Sequence, residues 1–506
     1  MASMGRFSCC RAILLCVALT ISACSTLEPD TRSPEITAVP FDTALWHQVA
    51  AVQPTDWYAP LNVGSEALQW RLRAIHSASD TIELQTFLWN NDRVGVEIST
   101  ALRDAANRGV AIKLLLDDSF TVHESEFLHH LNRHQNIETR IYNPFRYRPD
   151  TAAIQEMFNL GEFSRIDQRM HNKVLVIDNT IAIVGGRNQG NEYFGYHAKA
   201  NFRDMEVLMS GGIAQQISTS FDVYWNSGWT FPVESKAVSE GNTSQLLGAT
   251  GEQADARQFL QRESSKDLLR AWRTMAKSGF VGEGHLWVDQ PAGDDPSAKS
   301  TTELAQQMLL WIDQAEQELI AVSAYLIPSP ELQQAVERAR ARGVSIKVLT
   351  NSLQSNNHTS AHAAYRHHIS QLLDLGVEVY ELRAFASGRE LYMGAPVDSK
   401  SLGLHAKFML IDDDLSFIGS VNFDARSLKR NTEIGLMIRS AELNQNLREL
   451  IAHDFKLSNA WRLEKRDGGN IVWVGDSVTR KEPPSASAWQ RLEGWFFGLL
   501  PIESEI

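Results

Sequence analysis

The sequence predicts an α/β protein made of two similar halves, and a phrase that occurs twice is the first observation behind this prediction. Residues 170–191 read MHNKVLVIDNTIAIVGGRNQGN, and residues 404–424 read LHAKFMLIDDDLSFIGSVNFD. Both phrases contain His, one residue, Lys, four residues and Asp, then six residues, Gly, a small residue, one residue and Asn. This shared spacing indicates that the phrases occupy equivalent places in two related units.

A constant offset between landmarks is the second observation. Gly109 and Gly343 are 234 residues apart, and so are Lys113 and Lys347 and the histidines of the two phrases. An offset that stays constant over three landmarks indicates an internal duplication.

The third observation is a strand–helix–strand pattern in each half. Strand-like runs at 81–89 and 111–118 flank a helical stretch that ends in ALRDAANRGV, and runs at 318–328 and 345–352 flank one that ends in AVERARARGV. The glycine after each helical stretch is a typical helix stop. Such units join parallel strands through helical crossovers, so we expect an α/β sandwich in each half.

Composition predicts the segment boundaries. The stretch after the N-terminus is rich in Pro, Thr, Ser and Asp, and another polar, partly Gly/Ser-rich stretch lies between the two halves. The expected segments are a signal peptide (1–23), a tether (24–64), a first half (65–235), a connecting segment (236–300), a second half (301–475) and an amphipathic tail (476–506). The aromatic stripe of the tail either lies on a membrane surface or packs back on the core.

The N-terminus resembles a bacterial lipoprotein signal. All four cysteines lie within the first 24 residues, so the body of the chain has no disulfide framework and no Cys-based zinc site. The apolar run AILLCVALTISA is too short to span a membrane and is followed by Cys24, which would be the lipidated residue. An ordinary signal peptide cut nearby and an uncleaved anchor are the alternatives. The resemblance implies a lipid anchor in the cell envelope facing the periplasm, and Ser25 favours outer-membrane sorting.

The histidines and lysines of the phrases suit an anionic substrate. The residues around them are strand-like, and residues two apart on a strand share a face. His171 therefore lies beside Lys173, and His405 beside Lys407. A nucleophile or proton carrier next to a fixed cation favours attack on a negatively charged group.

The remaining phrase residues have different expected roles. Asp178 and Asp412 lie at turns, where a side-chain hydrogen bond that fixes the turn is favoured over direct chemistry. Asn188 and Asn422 follow small residues that allow the backbone to approach a ligand, so their amides are placed to reach phosphate oxygens.

The two phrases resemble the paired HxKxxxxD signature of the phospholipase D superfamily, over about residues 65–475. The resemblance implies two pseudo-symmetric α/β/α sandwich halves that share one active site at their interface, with neither metal nor cofactor. One histidine attacks phosphorus and forms a phosphohistidine, while the other protonates the leaving alcohol; the family order makes His171 the nucleophile and His405 the acid. The catalytic set implied is His171, Lys173, Asp178, His405, Lys407 and Asp412, with Asn188, Asn422 and both lysines binding the phosphate.

An acidic residue that orients each histidine is also implied by the resemblance. The stretches RDMEVLM (203–209) and TEIGLMI (432–438) align Asp204 with Glu433, and we assign these two carboxylates that role. Glu206 is the nearby competitor, and surface charge on a strand is the alternative for all of them.

Two other histidine groups, HHLNRH (129–134) and HTSAH (358–362), have spacings that suit metal ligands. Neither contains an acidic residue or a cysteine, so we predict solvated helix or loop faces for both.

Within the superfamily, the stretch LQTFLWNNDRVGVEISTALRDAANRGVAIKLLLDD and the first GGRN look most like bacterial cardiolipin synthases, especially the C type, which transfer a phosphatidyl group between phospholipids. A phospholipase D that uses water, a nuclease and a catalytically inactive binding lipoprotein are the alternatives. The formal net charge of -13 and the lipid tether argue against the nuclease, and two intact motifs argue against an inactive protein. The expected partners are phospholipids and a membrane surface, with no nucleic acid and no obligate protein partner.

Overall fold

The computed structural model describes residues 43–120, 131–145, 167–233, 263–291 and 302–485, together with the single residues 29, 165, 487 and 490. Two large mixed β-sheets lie side by side, each with helices packed against it, and each sheet belongs to one half of the duplication. The prediction of an α/β fold with two related halves is confirmed. The predicted signal peptide with Cys24 and nearly all of the aromatic tail stretch, 488–506, lie outside the described residues.

Within the described residues, the first half contains ten strands and five α-helices. The strands are β1 (Trp57–Leu61), β2 (Thr81–Thr86), β3 (Ala111–Asp117), β4 (Ile137–Tyr142), β5 (Val174–Ile177), β6 (Ile181–Gly185), β7 (Ala200–Arg203), β8 (Glu206–Ser210), β9 (Thr230–Pro232) and β10 (Phe280–Val281). The helices are α1 (Ala44–Ala50), α2 (Gly64–Ser77), α3 (Arg93–Asn107), α4 (Gly212–Trp225) and α5 (Ser265–Ser278).

The second half contains β11 to β21 and six helices. The strands are β11 (Glu283–Val288), β12 (Glu318–Ser323), β13 (Ser345–Asn351), β14 (Glu378–Leu382), β15 (Ser401–Leu404), β16 (Lys407–Ile411), β17 (Leu415–Gly419), β18 (Ile434–Arg439), β19 (Ala460–Lys465), β20 (Ile471–Val474) and β21 (Thr479–Arg480). The helices are α6 (Glu303–Gln314), α7 (Pro330–Ala341), α8 (Thr359–Tyr365), α9 (Ile369–Asp374), α10 (Ala425–Lys429) and α11 (Ala441–Ala452).

The strand order is equivalent in the centres of the two sheets. The first sheet runs β10-β1-β8-β6-β5-β2-β3-β4-β9 and the second runs β11-β18-β17-β16-β12-β13-β14-β19-β20-β21. The predicted crossover units are parallel, as β2–β3–β4 and β12–β13–β14. The strands of the repeated phrases form antiparallel hairpins, β5–β6 and β16–β17. Their connections are short turns, whereas a parallel neighbour would need a long crossover connection.

The crossover helices begin and end where the sequence predicts. Asp92 accepts a hydrogen bond from the Gly95 backbone at the start of α3, and Ser329 caps α7 in the same way. Both helices stop before a glycine in the left-handed region, Gly109 with φ of 101° and Gly343 with φ of 92°. A Cβ on either glycine would meet no atom within 4 Å, so the backbone angle is the reason for glycine there.

A shared apolar core holds the halves together. One core cluster packs side chains of β5, β6 and β8 with those of β12, β16, β17 and β18, and helices α4 and α11 contribute to it. Each half has a further core on the opposite face of its sheet. A two-stranded parallel sheet of β7 and β15 adds a backbone connection between the halves.

The predicted segment boundaries need correction, because ordered elements occupy parts of all three polar segments. Helix α1 and strand β1 lie in the expected tether, α5, β10 and β11 lie in the expected connecting segment, and β21 lies at the start of the expected tail. For α1 and α5, aromatic residues within polar stretches explain the difference. Trp46 of α1 is 3% exposed and packs edge to face on Trp272 of α5, with ring centroids 5.3 Å apart.

The prediction of a solvated face is wrong for His362, which is 1% exposed. Helix α8 turns it towards β14, where its Nε2 lies 3.9 Å from Glu381 Oε1. Burial lowers the pKa of His362 to about 3 and raises that of Glu381 to about 8, so both groups are neutral near pH 7. Trp473 Nε1 donates a hydrogen bond of 2.8 Å to the same carboxyl group.

We expect the Glu381→Gln variant to lose less stability than the wild type as the pH rises. The Glu381 carboxyl ionises near 4.5 in the unfolded chain but near 8 in the folded one, so the folded state binds more protons between these values. Wild-type stability should therefore fall relative to the variant by roughly 1.4 kcal/mol per pH unit across that window. Urea unfolding at about pH 5 and about pH 8 measures this change. Glu378→Gln, at the exposed start of the same strand, is the control, and equal pH dependence in both variants would contradict the assignment.

Candidate active site

Both histidines of the repeated phrases line one cavity of ≈ 900 Å³ between the two halves. His171 lies just before β5, and His405 lies between β15 and β16. The equivalent hairpins of the two halves bring them to the same cavity, and Asn188 and Asn422 line it as well. The structure therefore brings together the predicted histidines and asparagines from distant parts of the chain.

Each histidine is held by the other half of the molecule. The His171 backbone N–H donates to the Thr432 carbonyl over 2.8 Å, and His171 Nδ1 lies 2.9 Å from the Glu433 carboxylate. In the same way, the His405 backbone N–H donates to the Arg203 carbonyl over 2.9 Å.

His405 Nδ1 lies 2.7 Å from Asp204 Oδ2, which completes the second pair. The ionised form of either carboxylate only accepts hydrogen bonds, so with that form Nδ1 carries the proton and Nε2 keeps its lone pair for chemistry. The carboxylates assigned from the sequence thus contact the histidines, and the pairs cross between the halves.

The two lysines are buried and hydrogen-bonded to the main chain of their own motif. Lys173 Nζ donates to the His171 carbonyl over 2.6 Å, and Lys407 Nζ donates to the His405 carbonyl. Lys173 precedes the first residue of β5, so its position depends on this bond and not on strand alternation. Each Nζ group fixes the backbone that carries its histidine. Burial lowers the pKa of Lys173 well below its usual value and that of Lys407 to about 8, while Glu433 and Asp204 act in the opposite direction and favour the charged form.

Burial and the lysine charges keep both imidazoles neutral. Burial, followed by the charges of Lys173 and Lys407, lowers the pKa of His171 well below its usual value. Burial and Lys407 lower the pKa of His405 to about 3, although Asp204 acts in the opposite direction. Two neutral imidazoles near pH 7 provide a nucleophile and a proton carrier that becomes charged only when negative charge arrives.

The two carboxylates differ in their surroundings. Burial raises the pKa of Glu433 to about 7. Burial also acts to raise the pKa of Asp204, but its interaction with His405, which includes a hydrogen bond, and the charges of Lys407 and Arg187 hold that pKa below its ordinary value. The two pairs are therefore electrostatically different although their geometry is similar.

The small and variable positions of GGRN and GSVN account for part of this difference. Gly186 leaves the space that the Asp204 carboxylate fills, since a Cβ there would overlap it. The equivalent Ser420 donates a hydrogen bond to Glu433 instead. Arg187, whose equivalent is Val421, is buried and donates to the Asp204 carbonyl over 2.9 Å. These roles were not predicted from the sequence, although GGRN and GSVN differ at the second and third positions, which indicated that the two halves differ there.

Asn188 and Asn422 present unused polar atoms to the cavity. They are 2% and 4% exposed, and neither side-chain oxygen has a hydrogen-bond partner among the described residues. A buried polar group without a partner is costly, so a ligand that supplies one is favoured. An amide oxygen accepts hydrogen bonds, so the partner that it lacks is a donor such as a hydroxyl group, whereas the oxygens of a phosphate would be bound by the Nδ2 groups of the same side chains.

Asp178 and Asp412 need correction as catalytic residues. The Asp178 carboxylate accepts hydrogen bonds from the backbone N–H groups of residues 79–81, which lead into β2, and from Trp46 Nε1. Asp412 binds residues 316–318 before β12 in the same way. Their backbone φ values of 48° and 49° place both in the left-handed region that Asp tolerates in turns. Neither lines the cavity, and each fixes the loop beside its turn, so we assign them a structural role.

The competitor Glu206 has other partners. It accepts hydrogen bonds from Arg71 over 2.7 Å and from Arg187 over 3.4 Å, in a fully buried cluster. Asp204 and Glu433 are each 0% exposed, so surface charge is not the explanation for either.

Aromatic rings enclose the histidines, which sequence analysis did not anticipate. Phe87 packs edge to face on His171 with ring centroids 5.1 Å apart, and Tyr193 packs in the same way on His405 at 5.0 Å. Phe202 lies 5.4 Å from His405. These rings restrict water and limit rotation of the imidazoles.

Comparisons with known proteins agree with the two-half architecture. The family model described as cardiolipin synthase, PLD-like domain, matches residues 72–225 and 308–455, one range in each half. The chain is 31% identical over 456 residues to cardiolipin synthase C of Escherichia coli (strain K12), which covers 88% of this chain and 95% of that protein. It is 28% identical over 405 residues to cardiolipin synthase B of Shigella flexneri, covering 79% and 81%.

A solved structure shares the fold. The phosphatidylserine synthase of Haemophilus influenzae Rd KW20 superimposes with a TM-score of 0.55 and 12% sequence identity, covering 83% of this chain and 92% of that one. The resemblance drawn from the two HxKxxxxD phrases is confirmed by the family match and by the relatives. This chain belongs to the cardiolipin synthase family of phospholipase D-like proteins.

Proposed function

We propose that this protein transfers a phosphatidyl group from one phospholipid to the hydroxyl group of another, as in cardiolipin synthesis. The observation that carries the proposal is the pair of cross-held histidines, His171 and His405, one from each half, which line one cavity. Two displacements at one phosphorus atom need a nucleophile on one side and a proton carrier on the other. The similarity to cardiolipin synthases over both halves supports this substrate class.

In the first displacement, the His171 Nε2 lone pair attacks phosphorus and a P–N bond forms. The P–O bond to the leaving head group breaks, and its oxygen takes a proton from His405. The negative charge of the bound phosphodiester compensates the positive charges of Lys173 and Lys407. It therefore raises the pKa of both imidazoles and allows His405 to carry the proton. Glu433 and Asp204 hold the rings and stabilise the charge that develops on them.

In the second displacement, the accepting hydroxyl gives its proton to His405 and its oxygen attacks phosphorus. The P–N bond breaks, which returns His171 to its starting state. Asn188 and Asn422 bind the non-bridging oxygens, while the buried lysines act through their charge. With water in place of the alcohol, the same steps would hydrolyse the lipid.

Lipid analysis of a suitable host tests the proposal. In a bacterium that lacks its own cardiolipin synthases, the wild-type chain should restore cardiolipin, because transfer needs only resident phospholipids. His171→Ala should restore none. Mass spectrometry of total lipids measures the product, and accumulation of phosphatidic acid without cardiolipin would indicate hydrolysis instead of transfer.

The crossed pairs predict which variants behave alike. With a p-nitrophenyl phosphodiester, whose leaving group departs without a proton, His171→Ala should form no phosphohistidine, whereas His405→Ala should keep a burst of p-nitrophenol. Glu433→Gln should resemble the first variant and Asp204→Asn the second, because each carboxylate orients the histidine of the other half. Loss of acid catalysis should cost about 10²–10⁴-fold on an alkyl ester and less on this activated one.

Acid-labile phosphate on the protein, together with the burst amplitude, measures this division of roles. Phosphate trapped on His171→Ala but not on His405→Ala would reverse the two histidines. If Glu433→Gln grouped with His405→Ala, the crossed pairing would not control the chemistry.

For location, we propose that a lipid on Cys24 anchors the protein in the bacterial envelope facing the periplasm, with outer-membrane sorting favoured by Ser25. No helix within the described ranges is long and apolar enough to cross a bilayer. Cys24→Ala should move the protein from the membrane fraction to the soluble fraction and abolish labelling by a radioactive fatty acid. The neighbouring Ser25→Ala is the control for labelling, and unchanged labelling of Cys24→Ala would contradict the anchor.

A further inference from the structure

The active-site cavity has a carboxylate and a guanidinium at equivalent positions of the duplication. Asn188 and Asn422 correspond in the two motifs, and the same offset of 234 residues relates Glu192 to Arg426. Both Glu192 and Arg426 line the cavity. The duplicated scaffold therefore presents opposite charges at positions that would be identical in a symmetric site.

The Glu192 carboxylate lies beside polar groups of the loop after β2. Its Oε1 accepts a long hydrogen bond of 3.3 Å from Asn90 Nδ2. Gly190 leaves room for this pair, because a Cβ there would lie 2.7 Å from Asn90 Nδ2 and 3.1 Å from Glu192 Oε2. Burial raises the pKa of Glu192, as expected of a carboxylate that has lost water and would gain from a hydrogen-bond donor.

Asp92 lies at the same end of the cavity but is committed to the fold. Its oxygens accept hydrogen bonds from the Gly95 backbone over 3.0 Å and from the Asn191 backbone over 2.7 Å, which caps α3. A ligand that bound Asp92 would compete with these two backbone hydrogen bonds. A ligand that bound Glu192 would compete only with the long hydrogen bond from Asn90, so Glu192 is the better acceptor for a ligand.

The equivalent position in the second half carries a guanidinium group. Arg426 donates to the Asp167 carboxylate over 2.9 Å and to its carbonyl over 3.1 Å, and Arg430 pairs with the same carboxylate. Two guanidinium groups thus share the Asp167 carboxylate, and Asp424 is a further acidic group that lines the cavity and interacts with Arg426.

Glu192 and Arg426 are associated with different histidines. Tyr193, next to Glu192 in the chain, packs its ring on His405, whereas the charge of Arg426 acts on His171 and contributes to its lowered pKa. In the proposed mechanism, attack by His171 expels the head group on the side of His405, and the accepting alcohol enters from that side. Glu192 therefore lies on the side where both alcohols bind.

We propose that Glu192 determines specificity for the alcohol. It selects head groups that carry a hydrogen-bond donor, a hydroxyl or an ammonium group, on the carbon next to the reacting one. Glycerol and ethanolamine have such a donor, whereas ethanol and choline do not. This inference rests on the proposed transfer reaction and assigns one residue of the acceptor side.

Competition between alcohols for one intermediate tests the assignment. The full chain in mixed micelles would receive phosphatidyl-p-nitrophenol with equal concentrations of glycerol, ethanolamine, ethanol and choline. The p-nitrophenol leaving group has no hydrogen-bond donor for Glu192, so the first displacement does not depend on the selection being tested. The products partition from the same phosphohistidine, so their ratios are independent of the amount of active protein.

Wild type should favour glycerol or ethanolamine over ethanol by about tenfold or more, as expected for a hydrogen bond to a charged group. Glu192→Ala should bring these ratios close to one. Glu192→Gln distinguishes the donors, since its amide oxygen still accepts from a hydroxyl but has no charge for an ammonium group. Glu337→Gln, on the exposed face of α7, should keep the wild-type ratios.

Unchanged product ratios in Glu192→Ala would overturn the inference while leaving the transfer reaction intact. A wild-type protein that releases p-nitrophenol but forms no phosphatidyl alcohol would instead contradict the proposed transfer.

Discussion

The active site depends on the crossing of two histidine–carboxylate pairs between the halves. Each histidine receives both a backbone carbonyl and a carboxylate from the opposite half, at adjacent residues of one short segment. Neither half by itself contains an oriented imidazole. The apolar core between the two sheets therefore has a catalytic consequence, because it holds the hydrogen-bonding atoms of one half within 3 Å of the other.

Buried charge is the cost of this arrangement, and the structure compensates for it locally. Two lysines, two carboxylates and Arg187 are all enclosed near the cavity. Each has a protein partner: a histidine carbonyl for each lysine, an imidazole for each carboxylate and backbone carbonyls for Arg187. A preorganised set of charges needs little rearrangement when a phosphodiester arrives, which is how such sites stabilise a transition state.

Duplication produced a site with near two-fold geometry, but a transfer reaction requires its two sides to differ. The differences are concentrated in the residues around the shared Asn. Gly186 corresponds to Ser420, Arg187 to Val421, and Glu192 to Arg426. The first two pairs change the surroundings of the orienting carboxylates, and the third places opposite charges at equivalent positions in the lining of the cavity. A few side chains on a repeated backbone are thus enough to distinguish the two sides.

The sequence by itself determined the duplication, the α/β halves and the two histidines, because these follow from local spacing and from a constant offset, while the resemblance to the phospholipase D superfamily pointed to the carboxylates Asp204 and Glu433. Only the tertiary structure decided that each carboxylate contacts the histidine of the other half, since a linear alignment pairs equivalent residues and contains no information on which ones meet. It also decided that Asp178 and Asp412 fix neighbouring loops, because their partners lie about a hundred residues away along the chain. Burial of Trp46 and His362 could not be predicted from polar local composition either, because burial depends on the packing of distant elements and not on the average character of a segment.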